Sequence, residues 1–122
     1  MPYKIYWEEK GVYIQWHGVI TAKENIRSNG ELYGNKLFES IDYQIADFLN
    51  AEHATFSKKE IYVIAALEKH ASRWNKKLMV AHIAHDPELI NSIKAYELKL
   101  IDTGWKFGIF DNLEEARKWV NG

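Results

Sequence analysis

The stretch LMVAHIAHDPELINSI, residues 78–93, decides the fold. Residues 78–84 are apolar apart from His82, the pattern of a strand covered on both faces. The period then changes. Asp86 can cap a helix, and Pro87 takes its first position, where a missing N–H costs nothing. Leu89, Ile90, Ile93 and Tyr96 follow at helical spacing. A buried strand running into a capped helix is half of a β-α-β unit, which predicts a parallel sheet with helical crossovers.

Outward from this unit the same grammar repeats. Thr21 stands three residues before Glu24, Ser57 three before Glu60, and Asp111 three before Glu114, each a capping-box pattern that opens a helix. Apolar spacing supports two of these helices, through Ile61, Ile64, Ala65, Ala71 and Trp74, then through Leu113, Ala116 and Val120. Residues 43–48 and 106–110 read as further strands before helices. At the amino end, Tyr3, Ile5 and Trp7 alternate with polar neighbours, as do Val12, Ile14 and Trp16. The polar turn at 8–11 between them makes a hairpin. The expected order is β-β-α-β-α-β-α-β-α, an α/β fold with a mostly parallel sheet and an antiparallel first strand at the edge. The whole of residues 1–122 is expected to form one domain.

Composition narrows the function. Sixteen basic against seventeen acidic residues give a net charge of −1, too little field to gather a phosphate backbone, so no nucleic-acid partner is expected. The absence of cysteine excludes disulfides, thiolate metal sites and thiol nucleophiles. No apolar run approaches the roughly 18 residues of a membrane span, and residues 1–4 show no leader, so a cytoplasmic location is expected. The five serines sit in no G-x-S-x-G elbow, and the seven glycines form no phosphate loop or dinucleotide fingerprint. No catalytic residue, cofactor or metal is expected.

With "YQIADF" (43–48) as a central strand and "FDNLEEARKWV" (110–120) as the closing helix, the chain resembles SpoIIAA-like proteins of the STAS fold. That group is typified by bacterial anti-anti-sigma factors, and it is also similar to the CRAL-TRIO (Sec14-type) lipid-binding fold. The resemblance covers essentially the whole chain and implies a protein partner. STAS switch proteins carry Asp-Ser-Ser-Gly at the start of the helix after the central strand, where a kinase phosphorylates a serine. Residues 50–59 hold Thr55, Phe56, Ser57 and Lys58 there instead, and Ser57 is the nearest match by position. The CRAL-TRIO similarity implies the alternative, a small apolar, lipid-like ligand.

In parallel sheets, ligands gather beyond the carboxyl ends of the strands. The candidates at that rim are His17, Asp47, His85, Asp86 and Asp111, with His53, Thr55 and Ser57 on the adjoining loop. A catalytic reading requires His17, Asp47 and His85 to cluster. His82 and His85 have ligand-like spacing, but on a strand they face opposite ways, and His82 is expected in the core with its ring nitrogens hydrogen-bonded. An apolar pocket between sheet and helices draws its expected lining from Trp16, Phe48, Phe56, Ile61, Trp105 and Phe110. The expected function is a non-enzymatic interaction domain; the identity of its protein partner and its pairing as a homodimer stay open.

Overall fold

A computed structural model describes residues 2–54 and 56–122. The rim candidate Thr55 lies outside the described residues, as does the side chain of His53. The strands are β1 (Tyr3–Trp7), β2 (Gly11–Val19), β3 (Tyr43–His53), β4 (Met79–Ile83) and β5 (Lys106–Phe110). The helices are α1 (Ala22–Tyr33), α2 (Lys58–Ala71), α3 (Pro87–Leu98) and α4 (Leu113–Asn121), with short 3-10 turns at Lys36–Ser40 and Ile101–Thr103.

The described strands form one sheet in the order β1-β2-β3-β4-β5. β1 is antiparallel to β2 at the edge and the remaining pairs are parallel. Each parallel strand is laid beside the one before it. Crossovers of a single hand advancing in one direction deposit their helices on the same face. Accordingly α1, α2 and α3 pack side by side, while α4, which follows the last strand, folds back over the other face against β3, β4 and β5.

Strand alternation divides the core between the two faces. Ile14, Trp16, Ala46, Phe48 and Val80 point toward α1–α3, whereas Tyr43, Ile45, Ala81 and Ile83 meet Ala116 and Val120 of α4. Trp16 is 2 % exposed and its ring stacks on Phe48 at 5.9 Å. Burying a side chain of that size contributes roughly 3 kcal/mol against entropy costs of similar total size. At the amino end of the sheet the Asn75 side chain donates to the carbonyls of Phe38 and Ile41, at 2.9 and 2.8 Å. The Trp105 indole donates to the Asn75 carbonyl at 2.6 Å, closing that end of the core.

Three local expectations change. β3 runs on to His53, past the expected end at residue 48, because its last residues pair with the tail of β2. That pairing is bulged, with register shifts around Gly18, whose φ of 69° a glycine adopts without strain. α4 is capped by Asn112, which accepts from the Glu115 amide at 2.8 Å, and not by Asp111, which is exposed. Two overlapping cap patterns stand there, and the chain bends at 111–112 as it turns back from β5, leaving Asn112 extended at the cap. Finally, α2 ends at Ala71, so Trp74 lies beyond the helix and is 61 % exposed instead of joining its buried stripe.

Candidate functional site

The inner face of β2–β4 and the helices above it do not close completely. A cavity of about 60 Å³, partly open to solvent, lies between them. Ile14, Trp16, Ala46 and Phe48 form its floor, and Ile61, Ile64, Leu89 and Ile93 descend from α2 and α3. Phe56, just before α2, stands at its edge half-buried. Its apolar lining is interrupted by Asn25, Ser28 and Asn29 of α1, Gln44 of β3, Glu68 of α2, His82 of β4, and Ser92 and Tyr96 of α3.

Glu68 is the unusual member. It lies on the inward stripe of α2 with Ile61, Ile64, Ala65 and Ala71, and is 4 % exposed. Tyr33 donates to its Oε1 at 3.0 Å, but its Oε2 has no hydrogen-bond partner. Burial pushes its pKa up to about 7, against the opposing effect of Tyr96, Tyr33 and Asn29. The Oε1 of Gln44, 6 % exposed, is likewise without a partner.

His82 sits between Phe48 and Tyr96, with ring centroids at 6.2 and 5.6 Å. Burial lowers its pKa to about 4, so the ring is neutral near pH 7. It is in the core as expected, but Nδ1 makes no hydrogen bond and lies 3.7 Å from Glu97 Oε2. The expectation of satisfied ring nitrogens therefore fails at Nδ1. Burial also raises the Glu97 pKa, with Lys94 opposing. With a neutral ring the two groups do not form an ion pair.

The rim residues make separate contacts. Asp47 is buried on the α4 side of the sheet, where it accepts from the Tyr13 hydroxyl at 2.5 Å and the Leu49 amide at 3.0 Å. His17 is exposed near the end of β2. His85 is exposed and donates from Nε2 to the Asp111 carbonyl at 2.7 Å. Asp86 caps α3 through the Leu89 amide at 3.0 Å. Among the described residues no three His, Asp or Glu side chains converge as metal ligands. Ser57 and Glu60 exchange both bonds of a capping box, at 3.1 and 2.9 Å, which opens α2 at the rim.

Of the expected pocket residues, Trp16, Phe48, Phe56 and Ile61 line the cavity. Trp105 lies at the amino end of the core, and Phe110 packs on the opposite face against Trp119 at 5.4 Å. The polar lining was missed. Glu68 had a signal, since it falls four residues after Ile64 within a buried helical stripe. Gln44 also had one, sharing a strand face with Ala46 and Phe48.

No family model matches the chain, and no curated protein matches it in sequence. Solved structures do. SpoIIAA, an anti-sigma factor antagonist, in its unphosphorylated form matches with a TM-score of 0.66 at 11 % identity, over 98 % of this chain and 96 % of that one. An anti-sigma factor antagonist from Mycobacterium paratuberculosis gives 0.63 at 14 % identity, over 98 % and 93 %. An uncharacterised DUF3478-family protein with a SpoIIAA-like fold from Shewanella loihica gives 0.60 at 17 % identity, over 97 % and 91 %. The fold is thus SpoIIAA-like, of the STAS type, as the residue pattern implied. The CRAL-TRIO similarity has no counterpart in these matches.

Proposed function

We propose that this chain is a non-enzymatic interaction domain that docks a partner protein through the outer face of α2 and the neighbouring rim. The observation that carries the reading is the apolar surface on that helix. Tyr62 is 65 % exposed, and Val63 and Leu67 stand out beside it. Leu67 shares a shallow groove between α1 and α2 with Trp74. Exposed aromatic and aliphatic side chains on one helix are the usual anchors of a protein interface. The fold shared with anti-sigma factor antagonists supports the same class of role. Ser57, whose hydroxyl is engaged as an N-cap, lacks the serine-switch motif around it, so docking in this reading does not depend on phosphorylation.

A photo-crosslinking residue placed at 62 or 67, with 118 on α4 as control, tests this in native lysate. The expected result is one discrete adduct from 62 and 67, absent from 118 and lost in a Leu67→Glu or Tyr62→Glu background. Equal labelling from all three positions overturns the reading.

The cavity favours a second reading, a sensor or carrier of a small ligand. Its volume of about 60 Å³ compares with the roughly 150 Å³ of an engineered cavity that accepts benzene, so it suits a compact molecule better than an elongated lipid.

A further inference from the structure

We propose that the cavity beneath α2 is a binding site for a small primary ammonium compound, its charged head held by Glu68 and Gln44. This rests on the ligand-binding reading of the cavity and gives it a chemical class.

The unpartnered polar atoms decide the class. Glu68 Oε2 and Gln44 Oε1 belong to side chains more than nine-tenths buried, line the same cavity and have no partner at hydrogen-bond distance, although Tyr96 and Asn29 lie near enough to Glu68 to favour its charged form. Gln44 Oε1 and the ionised form of Glu68 Oε2 are acceptors, so a ligand that satisfies both brings donors. Among the described residues no Lys or Arg lines the cavity, leaving the Glu68 carboxyl without a cation. A buried carboxylate lacking a counter-charge is costly, and an ammonium supplies both charge and N–H groups.

The surroundings agree. The rings of Trp16, Phe48 and Tyr96 line the space, an aromatic surrounding that suits a cation with a short hydrocarbon tail. The volume limits the tail to a few carbons. The titratable groups around Glu68 are Tyr33 of α1, Tyr96 of α3 and His82 of β4, with Glu97 behind His82. At neutral pH the tyrosines and His82 are uncharged, so none competes as a cation. A carboxyl that is partly protonated when empty gives up a proton when an ammonium arrives. Binding near pH 7 therefore releases protons to the buffer.

The test is a titration of the ¹⁵N-labelled chain with ethylammonium chloride at neutral pH. Ethanol, at matched ionic strength in potassium chloride, is the uncharged probe of similar size. The expected result is saturable shifts at the Trp16 indole and the Gln44 side-chain amide, with ethanol about tenfold weaker or worse. Calorimetry in buffers of different ionisation enthalpy then shows proton release. Glu68→Gln keeps the size of the side chain and an acceptor for Tyr33, and its expected affinity for ethylammonium is about tenfold lower or worse, with the spectrum otherwise retained. Equal binding of ethanol and ethylammonium overturns the ammonium assignment while leaving a ligand cavity in place. Undiminished binding by Glu68→Gln also overturns it. Absence of saturable shifts with either probe overturns both the assignment and the ligand-binding reading.

Discussion

Two buried residues, Glu68 and His82, give the molecule opposing responses to acid. Glu68 is protonated in both folded and unfolded chains below its ordinary pKa of 4.5. As pH rises toward its folded value of about 7, the unfolded chain ionises first and stability falls. His82 is neutral in both states above its ordinary 6.5. As pH falls toward its folded value of about 4, the unfolded chain takes up the proton that the core refuses, and stability falls. Each contribution amounts to about 3 kcal/mol at its full extent. Between pH 4.5 and 6.5 they largely cancel. Urea denaturation across pH is expected to show Glu68→Gln gaining stability relative to the parent as pH rises from 5 to 8. A parallel pair of curves, with a constant offset, contradicts the assigned burial. His82 is legible as a polar interruption of an apolar strand, and Glu68 carries a similar signal that sequence reasoning missed; the unmet hydrogen bonds of both depend on neighbours distant in sequence.

The elements themselves followed closely from local chemistry, because caps and apolar periodicity are written within a few residues. Thr21, Ser57 and Asp86 cap the helices they were expected to open. The fourth cap was ambiguous, because Asp111-Glu114 and Asn112-Glu115 have the same spacing. Asn112→Ala is expected to cost about 1 kcal/mol in chemical denaturation and Asp111→Ala nearly nothing, since only Asn112 bonds a first-turn amide. The reverse order assigns the cap to Asp111. The ends of strands were less legible than those of helices. Beyond residue 48 β3 carries exposed Leu49 and Asn50, so the buried pattern stops while the hydrogen-bonded ladder continues. Periodicity reports burial, not pairing. The same distinction explains Trp74, whose spacing continued the stripe of α2 after the helix itself had ended.

For the whole molecule, alternating strands and helices were enough to give a parallel sheet with an antiparallel edge. The division of faces follows from crossovers of constant hand. Contacts that close the fold over long sequence separations were not legible. Arg117 of α4 makes two 2.7 Å bonds to the Glu8 carboxylate in the first turn, which also accepts from Tyr43. This bidentate pair lowers the Glu8 pKa, so its contribution is present above the ordinary glutamate pKa and is lost as pH falls through the lowered value. Being partly exposed, it is worth about 1 kcal/mol, and Arg117→Ala is expected to lower the denaturation midpoint at pH 7 but little at pH 2. An equal loss at both pH values contradicts an ionic role.

The site depends on the larger assembly: α1, α2 and α3 must all sit on the sheet for Glu68 to lose its water. Direct observation of the Glu68 side-chain carboxyl by ¹³C NMR across pH tests this most plainly. A midpoint near 7, with the signal identified by its disappearance in Glu68→Gln, is the predicted result. A midpoint at the ordinary 4.5 would place the carboxylate in water and leave no enclosed site beneath α2.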